Sequence, residues 1–191
     1  MKKSAVFCNL KAFVIVASLL VQSPLAAQPT QPTQASPASD QSTISYPKIV
    51  GYFSFILPLV TINQNKTSND FSNMNNGFSI GFPTGINVLY SEHFGFSYEI
   101  TPTIETTGGS SRISKILFDP GPMFRFRHGF TFIPRLAFQT DGRYGITPVF
   151  NQIVCNTPKI NYFVALSLPM RVGNSELPNI GIGFQIGMIF K

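Results

Sequence analysis

The stretch Asn179-Ile180-Gly181-Ile182-Gly183-Phe184-Gln185-Ile186-Gly187-Met188-Ile189-Phe190 decides the fold of this 191-residue chain. Every even position from 180 to 190 is large and apolar, whereas positions 181, 183, 185 and 187 hold glycine or glutamine. A period of two indicates an extended strand with two unlike faces. The small face lacks the charged side chains that water solvates well. We therefore expect the apolar face to meet lipid and the small face to line a narrow barrel.

Similar alternation recurs along the chain and predicts eight strands, at about 48–62, 77–90, 94–106, 113–126, 130–140, 143–153, 161–172 and 179–190. We predict an all-β fold, an eight-stranded antiparallel transmembrane β-barrel with up-and-down connections. Eight is the smallest usual strand number for such a barrel, and an even number brings both chain ends to one side. Turns near 91, 127 and 156 should be periplasmic. The connections near 63–76, 108, 141 and 173 should face outward.

Three segments with different tasks follow from the composition. Residues 1–27 read as a cleaved signal peptide, since Lys2, Lys3 and Lys11 precede a short apolar run, Ala12 to Val21, and small residues ending in Ala26-Ala27 follow it. Residues 28–45, rich in Pro, Gln, Ser and Thr, predict a disordered linker. Residues 46–191 form the predicted barrel, and the expected location is the cell outer membrane.

Charge and cysteine content exclude several classes of function. Three of the 14 basic residues and none of the eight acidic ones lie in 1–27, so processing lowers the formal charge from +6 to +3. A nucleic-acid partner is therefore unsupported. Cys155 is the one cysteine left, which rules out an internal disulfide or a cysteine-based metal cluster. Only 12% of the residues are charged, against about a quarter in a soluble domain.

The predicted strand register brings inward ionisable side chains together. The short turn at 127–129 sets Gly121 opposite Arg135. If the turn at 108–109 sets Glu105 opposite Lys115, Glu99 also falls opposite Gly121. Cross-strand neighbours lie about 5 Å apart, so long side chains can reach across one glycine.

This register predicts a structural ion-pair network in the lumen. Glu99 and Arg135 form its centre, with Asp119 and Arg125 as flanking members. A buried charge without a partner is costly, so we predict a pair and assign it the role of plugging the barrel. No catalytic, cofactor or metal site is predicted.

Aromatic residues near the strand ends form a second predicted feature. An outer-membrane barrel carries aromatic girdles at both membrane interfaces, and ordinary strand aromatics are the alternative explanation. The residues assigned to the girdles are Tyr46, Tyr52, Tyr90, Phe94, Phe130, Tyr144 and Tyr162.

Two other classes of protein stay open. A small lipid-modifying outer-membrane enzyme needs a nucleophile and a base in hydrogen-bond reach. The two histidines, His93 and His128, fall in predicted periplasmic turns, and no Gly-x-Ser-x-Gly motif is present, so we expect no enzyme. A soluble secreted barrel binding an apolar ligand would turn the aromatic faces inward and needs a polar exterior.

Three further stretches, GFPTGIN at 81–87, PGPMFRF at 120–126 and RYGITPVF at 143–150, together with the last strand, carry a family resemblance. The chain resembles the outer membrane protein β-barrel domain group, particularly its small, largely uncharacterised members. The resemblance implies a fold and a location but no reaction. Its implied partners are the outer-membrane lipid bilayer and the barrel-insertion machinery, which in such families reads a C-terminal aromatic residue. Here that residue, Phe190, is followed by Lys191.

The function expected from all of this is structural or based on interaction. Loops, chiefly the Asn-rich one at 63–76, are the expected contacts with extracellular partners. The sequence names no such partner.

Overall fold

A computed structural model describes residues 45–63, 66–68 and 77–191. The predicted signal peptide, and the predicted linker except Ser45, lie outside these residues. The described strands are β1 (Lys48–Asn63), β2 (Lys66–Ser68), β3 (Phe78–Gly81), β4 (Thr84–Leu89), β5 (Phe94–Thr107), β6 (Ser110–Phe118), β7 (Gly121–Arg125), β8 (Phe130–Gln139), β9 (Arg143–Asn156), β10 (Ile160–Ser167), β11 (Met170–Gly173) and β12 (Asn179–Phe190). Among these residues, no helix is long and apolar enough to span a membrane.

The strands close into an antiparallel ring of eight. Three members of the ring consist of two segments each, β3 with β4, β6 with β7, and β10 with β11. The last strand closes the ring by pairing with the first, from Tyr52 opposite Ile189 to Asn63 opposite Asn179. The predicted all-β architecture of eight antiparallel strands is confirmed. Its placement in a membrane stays a prediction.

Proline explains the three divided strands. Proline has no N–H to donate to the ladder and interrupts regular pairing. The breaks fall at Pro83, Pro120 and Pro169, whose carbonyls still accept hydrogen bonds from the neighbouring strand at 2.7 to 2.9 Å. The breaks are local, so each pair of segments acts as one strand of the barrel.

The two faces of the strands are separated as the alternation predicts. On β12, Gln185 is 3% exposed and the glycines at 181, 183 and 187 are buried, whereas Ile180 and Ile186 are about half exposed. Outward aromatic and aliphatic side chains recur around the ring, among them Tyr98, Phe118, Leu136, Phe138 and Tyr144. A soluble barrel that binds its ligand on these apolar faces requires them to point inward. That arrangement is contradicted.

The register between β5 and β6 differs from the prediction by three residues next to the turn and by two residues beyond the bulge. Glu105 pairs with Arg112, and Lys115 pairs with Thr103. The reason is a tight turn in which Gly108 and Gly109 both have positive φ, followed by a bulge between Thr103 and Ile104. Glu99 therefore lies beside Asp119, whose N–H donates to the Glu99 carbonyl at 3.1 Å.

Two other boundaries also differ from the sequence prediction. The first part of the predicted Asn-rich loop contains a short strand, β2, which pairs with the end of β1 from Thr61 opposite Ser68 to Asn63 opposite Lys66. Residues 64–65 and 69–76 of that loop lie outside the described part of the chain. The sixth predicted strand continues to Asn156, which pairs with Asn161.

Candidate functional site in the barrel lumen

Glu99 and Arg135 meet inside the barrel. Arg135 Nη1 lies 2.7 Å from Glu99 Oε2, and each side chain is 4% exposed. The two residues come from β5 and β8, with β7 between them. Gly121 of β7 makes the approach possible, since a Cβ there would lie 2.8 Å from the Arg135 Cα. A glycine at this position lets the ion pair span the intervening strand.

Tyr52 completes the centre of this cluster. Its hydroxyl donates to Glu99 Oε2 at 2.7 Å and accepts from Arg135 Nη2 at 3.1 Å. Arg135 Nη2 also donates to Ser97 Oγ at 3.1 Å, and Thr101 Oγ1 donates to Glu99 Oε1 at 3.1 Å. We call these five residues the lumen cluster. Most of its polar groups are paired with one another out of contact with water, which favours a rigid arrangement, whereas Arg135 Nε has no hydrogen-bond partner among the described residues.

The assignment of Tyr52 to an aromatic girdle was wrong. Tyr52 is 5% exposed and shares the lumen-facing side of β1 with Val50 and Ser54. The error arose because both faces of β1 carry apolar residues, so alternation did not separate them. Gly85 makes room for the ring, since a Cβ there would lie 2.6 Å from the Tyr52 hydroxyl.

The two predicted flanking residues behave differently. Asp119 Oδ2 lies 3.9 Å from Arg135 Nη1, at the edge of the lumen cluster, and its Oδ1 has no hydrogen-bond partner among the described residues. Arg125 does not join the cluster, which corrects the prediction. It lies six residues beyond Asp119, about 20 Å along an extended chain. Its Nη1 approaches the Ser91 carbonyl at 3.4 Å instead.

A second polar contact secures the junction where the ring closes. Gln185 of β12 donates through Nε2 to Ser54 Oγ of β1 at 2.7 Å. Ser54 Oγ in turn donates to the Pro83 carbonyl oxygen at 3.3 Å. Sequence analysis did not single out these residues. The available signal was that Gln185 is the one amide between the glycines of the last strand, at positions 181, 183 and 187.

Two more arginines, Arg143 and Arg171, were also missed. Arg171 donates to the carbonyls of Ile146 and Met170 and to Thr147 Oγ1, at 2.8 to 3.0 Å. Arg143 forms an ion pair with Glu176 in the connection before β12. Their inward direction was readable from the outward-facing Tyr144 and Met170 beside them in sequence.

The lumen contains two cavities. The loop-side cavity has a volume of about 190 Å³, and Lys115, Asp119, Arg143 and Arg171 line it. The terminus-side cavity has a volume of about 180 Å³ and lies at the end of the barrel where β1 begins and β12 ends. Arg135, Val149 and Gln185 line both cavities, so they form the partition between them.

Both histidines are exposed. Neither His93 nor His128 lines the two cavities. The His93 ring lies at an exposed turn, with Nδ1 3.4 Å from the Arg125 carbonyl oxygen. Within residues 45–63 and 77–191, no three His, Cys, Asp or Glu side chains are grouped so that they could hold a metal ion.

Comparisons with known proteins give a limited result. No protein-family model matches the chain, and no curated protein matches it either. Two solved structures, both from the de novo design of transmembrane β-barrels, show similarity to it. The solution NMR structure of the designed TMB2.3 shares 14% identity over 76% of this chain and 94% of its own, with a TM-score of 0.42. The other design shares 10% identity over 76% and 97%, with a TM-score of 0.43.

Proposed function

We propose that this protein is an integral outer-membrane β-barrel with a structural or interaction role, whose lumen is plugged by the lumen cluster. The observation that carries this proposal is the reversed polarity of the barrel. Glu99, Asp119 and Arg135 are at most 6% exposed, whereas Leu136 and Tyr144 are each 55% exposed on the outside.

An exterior of this kind is unfavourable in water. Apolar surface costs about 25 cal/mol for each Å² left in water, and soluble monomers rarely expose large contiguous apolar patches. A hydrocarbon environment removes that cost, and a closed ring leaves no unpaired strand edge facing lipid. The outward residues of neighbouring strands also contact each other, as Phe94 with Phe124 and Phe132 with Phe150 do. The apolar exterior therefore continues from strand to strand.

The proposal includes an orientation and partners. Under the even-strand rule, the end holding Lys48 and Lys191 faces the periplasm and the connection at 173–178 faces outward. The signal peptide directs export, and the barrel-insertion machinery assembles the strands. The Asn-rich connection at 63–76 is the proposed contact with an extracellular partner.

We also propose that the protein is not an enzyme. The most buried polar groups, Tyr52, Glu99 and Arg135, are engaged with one another, which suits a plug. A lipid-modifying enzyme instead needs a base and a nucleophile placed near the outer leaflet. The exposed position of His93, beside the Ser91 turn, does not provide this.

Cell fractionation combined with heat-modifiability tests the proposal. The envelope of expressing cells is separated, and the outer-membrane fraction is run unboiled and boiled on a denaturing gel. A folded barrel should be found in that fraction, and its band should shift on boiling. A soluble periplasmic marker serves as the control for leakage. Recovery with that marker, without a shift, would refute the membrane assignment.

A further inference from the structure

We propose that the terminus-side cavity binds a small multivalent oxyanion, of which inorganic phosphate is the simplest probe. This site is a property of the lumen and does not depend on the membrane assignment. Three cationic residues line the cavity in addition to Arg135 of the partition, namely Lys48, Arg125 and Lys191. No Asp or Glu is among the described residues that line it.

The fold brings the three cationic residues to the lining of the same space. Lys48 has the lumen-facing parity of Val50 on β1, and Arg125 has that of the buried Met123 on β7. Lys191 follows β12 two positions after Ile189, which packs against the buried core. Because β1 pairs with β12 through Tyr52 and Ile189, Lys48 and Lys191 lie on neighbouring strands at one end of the barrel.

These charges have little compensation from the protein. Among the described residues, none of the three cations forms an ion pair with a carboxylate. Arg125 Nη1 has a weak contact with the Ser91 carbonyl, and Lys191 Nζ donates to Asn156 Oδ1 and the Thr157 carbonyl. Like charges around a low-dielectric recess raise the local concentration of counter-ions. The positive potential therefore favours an anion in the cavity.

The neighbouring side-chain carboxylates do not neutralise the positive charge of the cavity lining. Glu99 is held by Arg135 and Tyr52 on the other side of the partition. Glu92 lies in the exposed turn between β4 and β5 and does not line the cavity. Of these two side-chain carboxylates, Glu99 is already paired and Glu92 is exposed.

The size and the remaining lining indicate the class of ligand. A volume of about 180 Å³ equals that of about six water molecules, which leaves room for one phosphate-sized ion and some water. Amide side chains that can donate hydrogen bonds, Asn87, Asn151 and Asn161, line the same space. Several separate cations suit a multivalent oxyanion better than a single-charge halide, since each oxygen can accept from a different donor.

Calorimetry of the mature protein, purified in a non-ionic maltoside detergent, tests this site. Inorganic phosphate is titrated at constant ionic strength in chloride buffer. The wild type should bind one phosphate, and Lys48→Gln and Arg125→Gln should each weaken binding by about ten-fold or more, as expected for losing a charge-assisted hydrogen bond. Lys159→Gln and Arg127→Gln remove the same charges from exposed positions at the same end and should change affinity less than about two-fold.

Side-chain amide signals in NMR spectra locate the binding. Phosphate should shift the amides of Asn87 and Asn151 and leave Asn174, in the opposite connection, unchanged. Lys48→Arg keeps the charge and should bind within about three-fold of the wild type, with its fold checked by circular dichroism. Absence of saturable phosphate binding to the wild type overturns the proposal. Equal losses in the exposed control variants, or shifts only at Asn174, also overturn it.

Discussion

Replacing Arg135 by alanine should be among the most damaging single changes to this barrel. Arg135 is the cation between two carboxylates that neighbour each other on paired strands, Glu99 at 2.7 Å and Asp119 at 3.9 Å. Without it, Glu99 retains the hydrogen bonds from Tyr52 and Thr101 but no positive charge. Removing one partner of a buried ion pair costs about 3–5 kcal/mol, so we expect a loss of that size in the free energy of unfolding.

Replacing the partner residue, Glu99, by alanine should lower the free energy of unfolding by less than Arg135→Ala does. Glu99→Ala leaves Arg135 with Asp119 as a nearby carboxylate, whereas Arg135→Ala leaves two like charges together. The double variant should therefore be more stable than the sum of the single effects, by about 1–3 kcal/mol of coupling. This asymmetry distinguishes an ion-pair network from simple loss of packing.

Urea unfolding in detergent or lipid measures these values. The chain has no tryptophan, so far-UV circular dichroism replaces intrinsic tryptophan fluorescence as the probe. Arg112→Ala removes the same side chain from an exposed position on β6 and should change the free energy by less than about 0.5 kcal/mol. A loss below about 1 kcal/mol for Arg135→Ala, or an equal or larger loss for Glu99→Ala, would refute the reasoning.

Three further predictions concern the same barrel. Tyr52→Phe removes the hydroxyl between Glu99 and Arg135 and should lower the free energy of unfolding by about 1–3 kcal/mol, because it leaves buried partners unsatisfied. Tyr98→Phe, on the exposed face, is the control and should leave the free energy of unfolding almost unchanged. Gly85→Ala places a methyl group against the Tyr98 carbonyl oxygen and 2.6 Å from the Tyr52 hydroxyl, and it should lower stability by about 1–3 kcal/mol. Gly51→Ala, with its nearest neighbour at 3.9 Å, is the matched control, and equal effects would count against close packing at Gly85. Leu136→Arg, at a position we place near the middle of the bilayer, should lower the free energy of unfolding from lipid vesicles by about 2–4 kcal/mol. Ser110→Arg in the exposed hairpin should leave it unchanged. An unchanged stability for Leu136→Arg would contradict the membrane assignment.

The sequence predicted the strands well wherever one face was small or polar. β12 is the clearest example, since its glycine face can only point into a crowded interior. The ring of eight followed from counting such segments. β1 gave no comparable signal, because apolar residues occupy both faces, and Tyr52 was consequently placed on the wrong side.

The candidate site was predictable in its central pair and in Asp119 at its edge. Arg135 and Glu99 were found through a register that was correct at the 127–129 turn and three residues off at the 108–109 turn, a difference that the bulge reduces to two at Glu99. The bulge beside Thr103 could not be seen from composition, because an extra residue in one strand depends on how the pairing accommodates it. Arg125 was misplaced because alternation gives the face of a residue but not its height in the barrel.

The pairing of β1 with β12 has a consequence for how the molecule folds. Neighbours such as β8 and β9 meet across the short turn at 141–142, so they can pair as soon as both are available. β1 and β12 join opposite ends of the described barrel, and such contacts of high sequence separation pay the largest loop-closure entropy. Before they meet, the intermediate presents two open sheet edges that can pair with other chains. Pairing of residues 179–190 with β1 therefore removes both open edges, and a chain that lacks these residues should associate with other chains even where its hairpins still form.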